Sequence, residues 1–322
     1  MGARIAIRLP AGFKGFKVTG NIIRSIGAVL AASAMALPGA ALAQTVAVPG
    51  ESYAAPGQIG LMSSVTPIQD SIISFHNGIL LITITLITLL VLALLVVVVL
   101  RFNAKANPKP SSVTHNTLIE VVWTVAPILI LVVIAIPSFG VLTDQMTTPD
   151  GERRYLGANI FSFGEVEVPA PELTVKATGA QWYWIYEYVD EGQAFDSAML
   201  REPERLAEKP NQPRLLAVDN ELVVPVDTTV RVEVTASDVI HAFAVPAFGI
   251  KTDAVPGRLN ETWFHARKTG IYYGQCSELC GKDHAYMPIA VRVVTQDEYA
   301  AWIEALRNGN VIAANAVLEP IT

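Results

Sequence analysis

The chain has two cysteines in 322 residues, charged side chains make up only 16% of it, and it contains no repeat or low-complexity run. Two cysteines are too few for a disulfide-built scaffold. Sparse charge with a formal net of −6 excludes a nucleic-acid-coating protein, and the same composition excludes an intrinsically disordered one. Its 22 glycines and 20 prolines follow no period, which excludes a fibrous chain. No Cys-x-x-Cys-His occurs, so no haem is expected in this chain.

Apolar residues are in excess: 52% of the chain, or about 59% with glycine counted, against the usual ~45–50%. Mean hydropathy is +0.41. The excess concentrates at the front. Residues 1–43 place Arg4, Arg8, Lys14, Lys17 and Arg24 before a largely apolar stretch and Ala41-Leu-Ala43, the pattern of a secretory signal cleaved before Gln44. A short membrane anchor is the alternative reading. Residues 44–75 are then an N-terminal outer segment, and 76–143 a hairpin with spans at 79–100 and 121–142. Each span is 22 residues without a charge. At 1.5 Å per residue, that length crosses a hydrocarbon core about 30 Å thick. Pro127 and Pro137 would break a soluble helix but are tolerated in a membrane, where neighbouring helices satisfy the freed carbonyls.

Between the spans lie Arg101, Lys105, Lys109 and His115, which puts this loop on the cytoplasmic side and both flanking segments outside. The segment from Asp144 onward holds 15 Lys and Arg against 26 Asp and Glu, a net charge of −11. It reads as an all-β sandwich or barrel over 144–308 with a tail at 309–322. Strands are expected at 173–178, 181–188, 214–218, 221–226, 229–236, 262–266, 270–273 and 289–294. Residues 190–213 read as a surface insertion. Thr295-x-x-Glu298 is a capping box opening a closing helix at about 296–307, with Gly309 beyond it.

Both cysteines fall in Gly274-Gln-Cys-Ser-Glu-Leu-Cys-Gly-Lys-Asp-His-Ala-Tyr-Met287. A disulfide across three residues would remove little unfolded-state entropy. Two thiolates, the His284 imidazole and the Met287 thioether within one short segment favour copper over zinc. Disulfide and zinc nevertheless stay open on spacing alone. Gly274 and Gly281 would let the backbone turn around an ion. The remaining soft ligand is expected from His241, placed where a strand leads into a loop. His76, His115 and His265 offer less.

At these residues the sequence resembles a known family. Asp238-Val-Ile-His-Ala-Phe-Ala-Val-Pro, Lys251-Thr-Asp-Ala-Val-Pro-Gly-Arg-Leu-Asn260, Tyr272-Tyr-Gly-Gln-Cys-Ser-Glu-Leu-Cys-Gly-Lys-Asp-His-Ala-Tyr-Met-Pro288 and Gln181-Trp-Tyr-Trp-Ile-Tyr-Glu-Tyr188 are similar to subunit II of the haem-copper cytochrome c oxidases. The resemblance implies a transmembrane hairpin in a bacterial inner membrane and a cupredoxin-like outer domain with a binuclear copper (CuA) centre. By position, Cys276 and Cys280 would bridge both coppers. His241 and Met287 would complete one copper, and His284 with the Glu278 carbonyl the other. The Glu278 side chain would face Mg²⁺ or Mn²⁺ at the boundary with subunit I.

The resemblance further implies that Trp182 admits electrons from cytochrome c, with Glu187, Asp196, Asp219 and Asp238 as docking acids. Taken singly, each of the four reads more readily as a solvated carboxylate, Asp196 above all because it lies in a poorly matched insertion. Strand alternation would send Trp182 and Trp184 to one face and Tyr183 to the other; core packing is the plainer role for such aromatics. Glu120 would stand at the cytoplasmic mouth of a proton channel, or merely begin a helix. Implied partners are cytochrome c, subunits I and III and lipid, with no nucleic acid. The competing reading is a membrane-tethered cupredoxin that stores or delivers copper. A disulfide-stapled outer domain would leave His241, His284 and Met287 unexplained.

Overall fold

The computed structural model describes residues 51–109, 111–152, 154–156 and 165–318. The expected signal segment, 1–43, lies outside the described residues. A first helix, α1 (Pro67–Phe75), starts at Thr66, whose hydroxyl accepts from the Gln69 amide. It runs through a π-helical stretch, His76–Leu80, into α2 (Leu81–Arg101). The helix thus begins well before the apolar run, because the cap lies at Thr66 and nothing between breaks it. The return helix, α3 (Thr117–Met146), begins at Asn116, whose side chain accepts from Ile119, and passes through Pro127 and Pro137 unbroken. No residue of α2 is buried. Two long helices so apolar and so little covered by the chain itself are membrane spans.

The outer domain holds a five-stranded sheet in the order β11-β8-β4-β5-β6. These strands are β4 (Leu173–Ala180), β5 (Tyr183–Tyr188), β6 (Gln193–Ser197), β8 (Thr229–Ala236) and β11 (Asn260–His265). Facing it is a four-stranded sheet, β1-β12-β13-β7, from β1 (Glu51–Ser52), β7 (Leu222–Pro225), β12 (Gly270–Gln275) and β13 (Pro288–Val294). A hairpin of β9 (His241–Val245) and β10 (Ile250–Ala254) packs against β4 and β12. Short β2 (Arg154–Leu156) and β3 (Glu165–Glu167) pair with each other.

Alternation explains the core. Val175, Ala177, Trp184, Tyr186, Tyr188, Val232 and Val234 point inward from β4, β5 and β8, and cross-strand register sets Val175 against Tyr188 and Ala177 against Tyr186. Each fully buried aliphatic side chain contributes about 1.5–3 kcal/mol. The closing helix, α5 (Gln296–Asn308), has the expected capping box and seats Trp302 on Tyr188, ring centroids 5.2 Å apart.

Several expectations are corrected. Residues 214–218 are not a strand: Leu215 has φ +70°, which breaks extended backbone, and Val218 makes only an isolated bridge to Met199. The insertion at 190–213 contains β6 and a helix, α4 (Glu202–Glu208). The tail carries a further short helix, α6 (Val311–Asn315). Several hydrogen bonds tie the outer domain to the hairpin, among them three made by side chains of Trp263, Thr66 and Arg267. Trp263 Nε1 donates to the Asp144 carbonyl at 2.8 Å, Thr66 Oγ1 to the Phe248 carbonyl at 2.7 Å, and Arg267 Nη2 to Asp70 Oδ2 at 2.7 Å.

Candidate metal centre

Two pieces of chain far apart in sequence build the site. One is the start of β9. His241 is the first residue of that strand rather than the end of one, and every residue of β9 is buried, which erases the alternation that would have marked it. The other is the loop between β12 and β13, whose ends are fastened by antiparallel pairing from Gly270↔Val293 to Gln275↔Pro288. Ser277 N–H donates to the Ala242 carbonyl at 3.1 Å and joins the two pieces.

Gly274 lies within β12, where a Cβ would run into the Ala244 carbonyl oxygen; its role is close approach, not a turn. Gly281 does turn, with φ +124°. Opposite His241, a Cβ on Gly179 would stand 2.8 Å from the imidazole Cδ2, so the glycine leaves the space the ring occupies.

Cys276 and Cys280 are free and buried, with sulfurs 3.8 Å apart. Cys276 Sγ lies 3.9 Å from His241 Nδ1 and 3.3 Å from the Glu278 carbonyl oxygen. Cys280 Sγ lies 3.7 Å from His284 Nδ1 and 3.5 Å from Met287 Sδ. Donor atoms held tetrahedrally about 2.0–2.3 Å from a metal stand about 3.3–3.8 Å apart, so this spacing suits shared coordination. Each thiol meets one member of each expected ligand pair: Cys276 reaches His241 and Glu278, Cys280 reaches Met287 and His284.

The residues therefore fit a binuclear soft-metal centre, and the thioether favours copper over zinc. Burial, reinforced by the neighbouring Cys276, pushes the Cys280 thiol up to about 12. A cation held here must displace that proton.

The carboxylate of Glu278 is exposed, while its carbonyl points to the sulfurs. Trp182 stands outside β5, half-buried, and its Nε1 donates to the Cys280 carbonyl at 3.3 Å. Lys282 Nζ lies over the indole, 5.4 Å from its centroid. Trp184 is fully buried against His241 and Phe243. The expected equivalence of the two tryptophans fails because the strand begins only at Tyr183, so its alternation does not extend to Trp182.

The four expected docking acids are not alike. Glu187 pairs with Lys176 at 3.1 Å on the outer face of β4–β5. Asp196 is exposed on β6. Asp219 accepts from the Ala198 and Asn220 amides, and burial outweighs these bonds, holding its carboxyl above the usual range. Asp238 faces His241 at 2.9 Å; burial raises its carboxyl, but hydrogen bonds from His241, Val239 and Gln181 bring it below the usual range. Glu120 sits half-buried in the first turn of α3, at the end of that helix remote in sequence from the outer domain. Sequence reasoning missed Gln181, whose Nε2 donates to the Cys280 carbonyl at 2.8 Å. Its place beside Trp182 in the aromatic motif was the available signal.

Fold and site together define a membrane-anchored, cupredoxin-like protein with a pair of buried thiols grouped with a histidine that could hold a metal ion. The chain belongs to the cytochrome c oxidase subunit II family. It matches the model of that family's periplasmic domain over residues 173–294 and of its transmembrane domain over 54–141. It is 46% identical over 261 residues to a probable cytochrome c oxidase subunit 2 of Rickettsia bellii, covering 81% of this chain and 87% of the relative. It is 41% identical over 269 residues to cytochrome c oxidase subunit 2 of Cereibacter sphaeroides, covering 79% and 82%. The solved periplasmic domain of subunit II from Bradyrhizobium japonicum is 61% identical, covering 44% of this chain and 97% of that one, with TM-score 0.40.

Proposed function

We propose that this chain is the electron-accepting subunit of a cytochrome c oxidase, taking electrons from cytochrome c at a binuclear copper site. They pass to haem in subunit I, where oxygen is reduced to water with proton pumping. The observation that carries the reading is the pairing of each buried, free thiol with one ligand from each expected set. Copper held there by Cys276, Cys280, His241, His284, Met287 and the Glu278 carbonyl would supply one-electron redox chemistry.

The chain's own residues do the rest. Strand-borne His241 and the fastened loop hold the donors fixed, and burial of Cys276, Cys280 and Met287 keeps water away. Trp182, half-buried and hydrogen-bonded to the loop, offers an entry from the surface. A net −11 on the outer segment favours a basic donor and speeds its approach at low salt. Among the expected docking acids, Asp196 and Glu187 have the geometry for that role; Asp219 is turned into its own loop.

The exposed carboxylate of Glu278 is available to a magnesium or manganese ion shared with subunit I, hard oxygen being the ligand such ions take. Glu120, at the loop end of α3, would serve a proton path into that subunit. Subunit III and lipid would cover the remaining exposed faces of the hairpin. The basic loop puts the outer domain on the periplasmic side, after removal of residues 1–43. A copper store without turnover is not favoured, since family membership provides a redox partner for the site.

The test is electron paramagnetic resonance of the full chain in detergent, loaded with copper. A seven-line hyperfine pattern and two coppers per chain are expected; a four-line spectrum, or no copper, would sink the binuclear assignment. Trp182→Leu should slow electron uptake from reduced cytochrome c and leave the spectrum intact, whereas a collapsed spectrum would make Trp182 structural.

A further inference from the structure

Asp238 is exposed at the surface, yet unlike a free surface charge its carboxylate is held by three hydrogen bonds from within the chain. Its Oδ1 accepts from His241 Nε2 at 2.9 Å and from the Val239 amide at 2.6 Å, and its Oδ2 accepts from the Gln181 amide at 2.7 Å. Gln181 then donates from its side chain to the Cys280 carbonyl, 2.8 Å away, and the Trp182 indole donates to the same oxygen. One carboxylate is thereby joined on one side to the imidazole at the sulfurs. On the other it is joined, through a single glutamine, to the loop that carries Cys280 and to the tryptophan above it.

We propose that Asp238 is a positioning residue: it sets His241 with Nδ1 toward the sulfurs and, through Gln181, holds Trp182 in register with the Cys280 loop. The inference rests on the copper reading above. An ionised carboxylate only accepts hydrogen bonds, so Nε2 of His241 must donate to it, and in a neutral imidazole that leaves the Nδ1 lone pair free. Nδ1 is the nitrogen that faces Cys276 Sγ. Carboxylates behind metal-bound histidines generally fix ring orientation in this way, and their loss weakens metal binding about 10–100-fold. Three of the roughly four lone-pair sites on Asp238 are occupied from within the chain, leaving little to offer a partner. The same carboxylate that locates the metal ligand thus also locates the backbone leading into Trp182.

The experiment uses the full chain in detergent loaded with copper, comparing wild type, D238A, D238N and Q181A. It reads copper retention against a chelator, the resonance spectrum, and electron uptake from reduced cytochrome c across ionic strength. D238A is expected to hold copper about 10–100-fold less tightly with an altered spectrum. D238N, whose amide oxygen can still accept from Nε2–H, should restore both although it removes the charge. Q181A should keep the wild-type spectrum yet slow electron uptake at every ionic strength. If D238A and D238N both keep wild-type copper retention and spectrum, and lose uptake only at low salt, Asp238 is a docking charge and the proposal falls. Wild-type uptake in Q181A would overturn the link to Trp182. Failure of wild type itself to bind copper is the separate result that removes the copper reading and this inference with it.

Discussion

The hairpin and the outer domain use the same kind of side chain in opposite ways. Leu94 in α2 is 57% exposed, as are its neighbours to similar degrees, whereas Trp184, Val232 and Val291 in the sandwich are fully covered. The sandwich obtains its stability from its own packing. The hairpin supplies surface whose burial depends on lipid and on other subunits, so its apolar residues carry no period, while those of the sandwich alternate. Hydrogen bonds from Trp263, Thr66 and Arg267 are among those that fix one region to the other.

The contrast can be broken first in the sandwich. Trp184→Ala should cost about 3–5 kcal/mol of outer-domain stability, read by denaturant unfolding of the full chain in detergent. A loss near zero would mean that the core does not rest on this ring. The corresponding truncation in the hairpin, Leu94→Ala, should move the same unfolding curve by less than about 0.5 kcal/mol. Leu94→Arg should instead impair membrane insertion by about 2.5–3.5 kcal/mol while leaving any inserted chain with an unaltered copper spectrum. Equal insertion of wild type and variant would argue against this helix as a span.

Smaller effects sharpen the picture of the sandwich. Thr295→Ala removes the hydroxyl that accepts from Glu298 N–H at the start of α5 and should cost about 1 kcal/mol. The Thr295 amide, donating to the Glu298 carboxylate, holds that carboxyl below its usual range against a smaller effect of burial. A carboxyl depressed in the folded state contributes stability above its unfolded value and loses it as pH falls through the folded one. Acidification should therefore destabilise wild type more than Glu298→Gln, and parallel melting curves against pH would refute this role for the cap.

Much of this was legible in the residues. Charge-free runs of sufficient length marked both spans, and the capping box located α5 with Gly309 just past its end. β4, β8 and β13 showed in their alternating or β-branched runs. β6 and β10 did not, because Gln193–Ser197 and Ile250–Ala254 place polar side chains on their outer faces and are short. β9 escaped for the opposite reason, being buried on both faces. Of the site, the candidate donors of the loop were legible since all lie within one turn-rich segment. His241 could be found only as a histidine of the right type, for nothing local ties it to cysteines 35 and 39 residues away.

Sequence alone determined which soft donors the chain offers, the two spans and the sign of the outer charge, since these depend on residue type, run length and summation. Tertiary structure decided which of the exposed carboxylates is fastened to the site and which is not. Asp238 and Asp196 are both exposed aspartates, yet one is hydrogen-bonded to the buried His241 imidazole and the other stands on the outer face of β6. The difference comes from where β9 brings its first residue against β4 and the cysteine loop, a juxtaposition of distant segments that no local pattern encodes.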